Sequence, residues 1–202
     1  MEQNPSSLFH KIYTMKKESR KALLDRLEEE LDRQINIVVD QFQNLNQEDL
    51  NRQGEEGGWS IAQNLEHLNL YFEYYNPAIK NALGLAAKDL SAETFKSGWL
   101  GNYFTGSMDY RKGNKIKAFK DYIPDQNQDA DEVIRKFIDH EEEMIGLLRK
   151  AKEYNLTRIR IPISLTKWVT MRLGDVFQFV IMHNERHLVQ AQSRLKEPLL
   201  VN

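Results

Sequence analysis

The sequence predicts an all-α fold, a four-helix bundle with a long, partly irregular insertion between its second and third helices. Two observations carry the prediction. Four separate stretches, each of about 20 residues or more, bring apolar side chains round at three- and four-residue steps, the pattern of helices that bury one face against each other. The chain has 202 residues, 41% of them hydrophobic and 29% charged, enough for one domain with an ordinary core. The expected organisation is a single domain over residues 1–202 with an insertion at about 84–128.

The first helix is read from Lys17 to Leu45, with Leu24, Leu27, Leu31, Ile35, Val38, Val39 and Phe42 inward and Glu28, Glu29, Asp32, Arg33 and Gln34 between them. NQEDLNRQGEEGGWS, polar and glycine-rich, reads as a connection. Ser60 stands where an N-cap belongs, ahead of a helix striped by Ile61, Leu65, Leu68, Phe72, Tyr75 and Ile79, which Pro77 and Gly84 are expected to kink or end. The following stretch, to about Asp129, lacks a sustained helical period and has room for one short helix. The third helix runs from about Asp129 to Tyr154, with Val133, Ile134, Phe137, Ile138, Met144, Leu147 and Leu148 inward. TRIRIPISLTKWVTM alternates through Ile159, Ile161 and Ile163 and predicts an extended strip. The fourth helix is expected to open after Gly174, with Asp175 in its first turn, and to reach Lys196 before Pro198 stops it.

Composition removes several function classes. Mean hydropathy is -0.63. The apolar runs, such as QFVIM ending at Met182, fall far short of the roughly 18 to 20 residues a membrane-spanning helix needs. MEQNPSSLFHKIYTMKKESR has no apolar core of a secretory signal, so a cytoplasmic location is expected. The absence of cysteine excludes disulfides, thiolate metal sites and cysteine nucleophiles, and leaves His, Asp, Glu and water as metal ligands. A net charge of -2 gives no general attraction to nucleic acid, and the cluster Arg111, Lys112, Lys115, Lys117 and Lys120 reads as solvated surface.

The candidate chemistry lies in FVIMHNERHLVQAQ, where His183 and His187 stand four apart in an apolar frame. That spacing places two imidazoles on one helical side, with Cβ atoms about 5 to 6 Å apart, close enough to share a metal ion. Val176, Val180, His183 and His187 form one strip, and Glu185 points the opposite way, a poor ligand. Random placement of five histidines gives some pair this spacing in about one sequence in ten, so the pair alone decides little. His67 strengthens it from the flank of the second helix's stripe, beside Asn64, Tyr71 and Tyr74. Three nitrogens and one open position are what a catalytic metal needs. The competing reading is a polar strip satisfied by tyrosines and water. His10 reads as tail or surface, and His140, among acidic residues, as solvated or salt-linked. A ferritin-like di-iron site is disfavoured because the bundle lacks the Glu-x-x-His motifs such a site uses.

Two segments resemble a known family. GGWSIAQNLEHLNLYFEYY is similar to the first signature of the DinB/YfiT-like superfamily, a tryptophan-containing turn leading into a helix with one histidine. MRLGDVFQFVIMHNERHLVQAQ resembles the second, a helix with paired histidines. The resemblance implies a four-helix bundle that binds a divalent metal, nickel or zinc, through His67, His183 and His187. It implies a small-molecule enzyme: a transferase moving a low-molecular-weight thiol, or a hydrolase. The alternative is a non-catalytic metal-binding helical module acting through homodimerisation. Helical geometry offers Tyr71, Tyr74 and Asn184 as neighbours that could act as a base, and Trp99, Tyr103 and Phe104 as a possible cover over the mouth.

Overall fold

The computed structural model describes residues 17–54, 57–113 and 116–195, and His10, Lys115, Lys196 and Pro198 lie outside them. Among the described residues the chain is mostly helical, with two small antiparallel sheets of two strands each. Helix α1 (Arg20–Gln41) opens where Ser19 Oγ accepts the Ala22 amide, and it buries Leu23, Leu24, Leu27, Leu31 and Val38. The connection that follows holds a short helix, α2 (Gln47–Asn51), which periodicity cannot reveal in five residues; Asn46 caps it and Leu50 anchors it.

Helix α3 (Ile61–Leu85) starts in a full capping box, with Ser60 accepting from the Gln63 amide while the Gln63 side chain accepts from the Ser60 amide. It runs through Pro77 rather than stopping there, and ends one residue past Gly84. The proline removes one helix hydrogen bond, while Tyr75, Ile79 and Leu83, all buried, hold the turns on either side. Helix α5 (Ala130–Ala151) is capped by Asp129 and carries acidic residues in its first turn and basic ones in its last, both favourable to the helix dipole. Helix α6 (Leu173–Arg194) begins one residue before the predicted glycine.

Helices α1 and α3 each pack against both α5 and α6. Their shared core includes Leu27, Leu31, Leu68, Phe72, Phe137, Leu148, Val180 and Leu188. Complete burial of one such side chain stabilises by about 1.5–3 kcal/mol. α6 is buried almost all round along its first four turns, polar residues included.

The insertion is more ordered than its sequence suggests. It contains strand β2 (Thr94–Phe95), paired with β1 (Glu18–Ser19), helix α4 (Trp99–Met108), and 3-10 turns at Tyr110–Lys112 and Lys120–Tyr122. Three contacts fasten it to the start of α6. The Phe95 ring occupies the space a Cβ on Gly174 would need, 2.6 Å from its Cζ. Asp175 accepts the Gly98 amide, and a Cβ on Gly101 would fall 2.2 Å from the Asp175 Cγ. The predicted extended strip is a hairpin of β3 (Arg160–Ile163) and β4 (Thr166–Arg172), with Ile161 opposite Met171 and both buried.

Candidate metal centre

His67 lies on the second turn of α3, and His183 and His187 on the third and fourth turns of α6, where the two helices pack. The structure brings the three predicted residues together: one ring nitrogen from each lies within 4.8 Å of the others, and all three residues are buried. His67 Nε2 and His183 Nε2 approach to 3.2 Å. An ion held at about 2.1 Å by tetrahedral nitrogens separates them by about 3.4 Å, so this pair is already at bonding spacing. Glu185 faces away and pairs with Arg33 of α1, which removes it as a ligand.

The hydrogen-bond network fixes which nitrogens are free. His67 Nδ1 donates to the Tyr122 carbonyl at 2.6 Å, because a carbonyl can only accept. His187 Nδ1 lies 2.9 Å from Asn64 Oδ1. The Asn64 amide group donates to the carbonyls of Trp59 and Ser60 at 3.3 and 2.8 Å, which leaves its oxygen to receive the imidazole proton. Both rings therefore turn their Nε2 lone pairs toward the cluster, and His187 is also hydrogen-bonded to the Gln190 side chain. Orientation of ligand histidines by their second nitrogen is the usual arrangement at metal sites, here through a carbonyl and a carboxamide.

The surroundings keep the imidazoles neutral. Trp59 stacks on His187 at 5.7 Å, Phe179 lies parallel to His183 at 5.8 Å, and Tyr71 sits 4.4 Å from His183 and 5.1 Å from His67. Burial holds the His67 pKa down at about 4, against the opposing Tyr122 hydrogen bond. Burial first, and then the neighbouring histidines, push His183 and His187 well below the ordinary range. Neutral imidazole is the form that binds a cation. His183 Nδ1 is buried with no hydrogen-bond partner among the described residues, and the His67 lone pair faces His183 Nε2. Such a set fits a borderline-soft divalent ion and fits a satisfied polar strip poorly.

A cavity of about 280 Å³ opens onto all three histidines, bounded also by Trp59, Tyr71 and residues 116–119 of the insertion. A wider groove, of about 850 Å³, lies by Ala82, Leu85 and Arg158, and none of the three histidines borders it.

Other sequence-level candidates fall elsewhere. Tyr71 reaches the cluster, but burial raises its pKa, so its phenol stays protonated and is no base. Tyr74 donates to the Ile163 carbonyl in the hairpin, and Asn184 donates to Glu141 away from the histidines. Trp99 and Tyr103 stack on each other at 6.3 Å in solvent rather than covering the mouth, while Phe104 packs on Phe179. His140 is half-buried with its ring stacked on Phe72, not solvated or salt-linked. Of the basic cluster, Arg111 pairs with Asp109, Lys112 donates to the Gly106 carbonyl, and Lys117 borders the cavity. The Tyr122 contact could not be foreseen, since a backbone carbonyl has no residue signature. Arg186, which also borders the cavity, stood in plain view beside His187 in HNERH.

Fold and site together define a helical protein with a buried three-histidine cluster compatible with metal binding. The chain belongs to the DinB superfamily, whose family model matches residues 30–191. No curated protein and no solved structure matches it. Among the described residues no helix is long and apolar enough to cross a membrane.

Proposed function

We propose that this protein is a divalent-metal-dependent enzyme acting on a small molecule, with His67, His183 and His187 as ligands to nickel or zinc within a four-helix bundle formed by α1, α3, α5 and α6. The observation that carries the reading is the cavity that meets all three histidines, because a metal kept only for stability needs no access. A divalent ion held there lowers the pKa of a thiol or water bound beside it and supplies a nucleophile at neutral pH. The chain's own part is positional. Tyr122 and Asn64 hold two rings with their lone pairs inward, Trp59, Tyr71 and Phe179 exclude water, and the protonated Tyr71 phenol is a donor rather than a base. Thiol transfer to an electrophile is the preferred chemistry and hydrolysis the second.

The test is a screen of low-molecular-weight thiols with several electrophiles, run on metal-loaded protein, chelator-treated protein and a His183→Ala, His187→Ala variant. Turnover that disappears on chelation, returns with nickel or zinc and is absent from the variant supports the reading. Metal-loaded protein with no turnover on any pair, and the same oligomeric equilibrium with and without metal, removes both the enzyme and its dimeric-module alternative.

A further inference from the structure

A second, smaller cavity of about 40 Å³ adjoins the one that meets the histidines. The two share three lining residues, Tyr71, Met108 and Phe119. Among the described residues no charged side chain borders the smaller one. Its inner wall is formed by Tyr75, Met171 and Phe179, all buried, and the Tyr75 hydroxyl already accepts the Ser164 amide at 3.2 Å. Phe179 is the partition between the two spaces. Its ring lies parallel to His183 at 5.8 Å and meets Phe104 and Tyr75 edge-on at 6.0 Å. The outer lining is apolar as well, with Ile116 and Phe119 of the insertion and Leu165 of the β3–β4 turn all exposed. Single exposed apolar side chains are ordinary, but several grouped around a mouth mark a surface that receives an apolar group.

We infer that the substrate carries a short hydrocarbon arm, which lies in this apolar cavity past Tyr71 and Met108 while its reacting end faces the three histidines. The inference rests on the proposed metal site for its catalytic meaning and deepens it by naming the substrate class, a small molecule with one reactive end and one alkyl end. A volume of about 40 Å³ exceeds the roughly 10–15 Å³ that one water needs, yet apolar space of this kind stays dry and accepts hydrocarbon. A polar or charged arm would lose its hydration there and meet no charged partner. Each methylene taken out of water strengthens binding by up to about fourfold, which favours an alkyl arm over a bare reactive group.

Saturation-transfer NMR on the full chain, with straight-chain alcohols from ethanol to hexanol titrated into metal-free protein, separates this inference from the metal reading. Affinity is expected to rise about two- to fourfold with each added methylene as far as about butanol, and then to level off. Ser164 borders the apolar cavity but not the histidine cavity, so Ser164→Phe should fill the former and flatten the series. Phe104→Ala removes a half-buried ring from the wall and should move the levelling point to a longer alcohol. In zinc-loaded protein the alkanethiols of the same lengths should repeat the rise, and Ser164→Phe should abolish it. A flat alcohol series in wild type, or a rise unchanged in both variants, overturns the inference. Alkanethiols that bind the zinc form equally at every length overturn it too, because an arm held beside the metal would then not reach the cavity. Failure to take up zinc counts against the proposed metal site alone, since the alcohol series is still read in metal-free protein.

Discussion

Asn64 controls His187 more tightly than its small side chain suggests. Its amide protons are committed to the Trp59 and Ser60 carbonyls, so its oxygen must accept from His187 Nδ1. Asn64→Ala frees that ring to rotate or change tautomer, and metal affinity should fall about 10- to 100-fold in competition with a chelating dye. Asn64→Asp, which keeps the acceptor, should lose less. The buried histidines also set an acid limit on stability. His67 titrates near 6.5 when unfolded and about 4 when folded, so unfolded chains take up its proton first as pH falls. Stability from this residue is complete above 6.5 and declines by on the order of 3 kcal/mol by pH 4, which denaturant titration of metal-free protein at a series of pH values would read. Glu141 behaves in the opposite sense. It is fully buried, Asn184 donates to it at 2.8 Å, and burial raises its pKa well above the usual carboxylate range. Its ionisation therefore opposes folding as pH rises past 4.5. Glu141→Gln should raise the melting temperature at pH 7, and the gain should vanish at pH 4.

The element that unites site and fold is α6. Its histidines face α3, its opposite side carries Glu185 to Arg33 of α1, and its first turn holds the insertion through Asp175. The insertion in turn supplies the Tyr122 carbonyl that orients His67, so the seam between α4 and α6 positions this histidine as well as a loop. Gly101→Ala forces a methyl against Asp175, and α4 must move away. Thermal unfolding should show a loss of about 1–3 kcal/mol, the range for an overpacked contact. Hydrogen exchange should show faster labelling over residues 98–122 than in wild type. Unchanged exchange there would mean that the seam does not hold the insertion in place.

For the molecule as a whole, the long elements were legible because burial imposes a period. Leu24, Leu27, Leu31 and Val38 on α1, or Phe72, Tyr75 and Ile79 on α3, repeat at helical steps and all prove buried. The gathering of His67 with His183 and His187 was legible through side-chain types and spacing together with the resemblance of their two segments to the family's signatures. What stayed hidden depends on tertiary contact. α2 is too short to show a period, α4 is held by Gly98, Gly101 and Asp175 rather than by an amphipathic stripe, and Tyr122 acts through its backbone. Glu185 was correctly read as pointing away from the histidines, but its burial beside Arg33 follows from a helix surrounded on all sides. The central claim is that the three histidines form one metal site. Its most direct test is metal analysis of protein purified without a polyhistidine tag, alongside His67→Ala and the His183→Ala, His187→Ala double variant. One divalent ion per chain in wild type, lost in both variants, is the expected result. Unchanged metal content in the double variant, or a metal-free wild type that takes up neither nickel nor zinc, would contradict it.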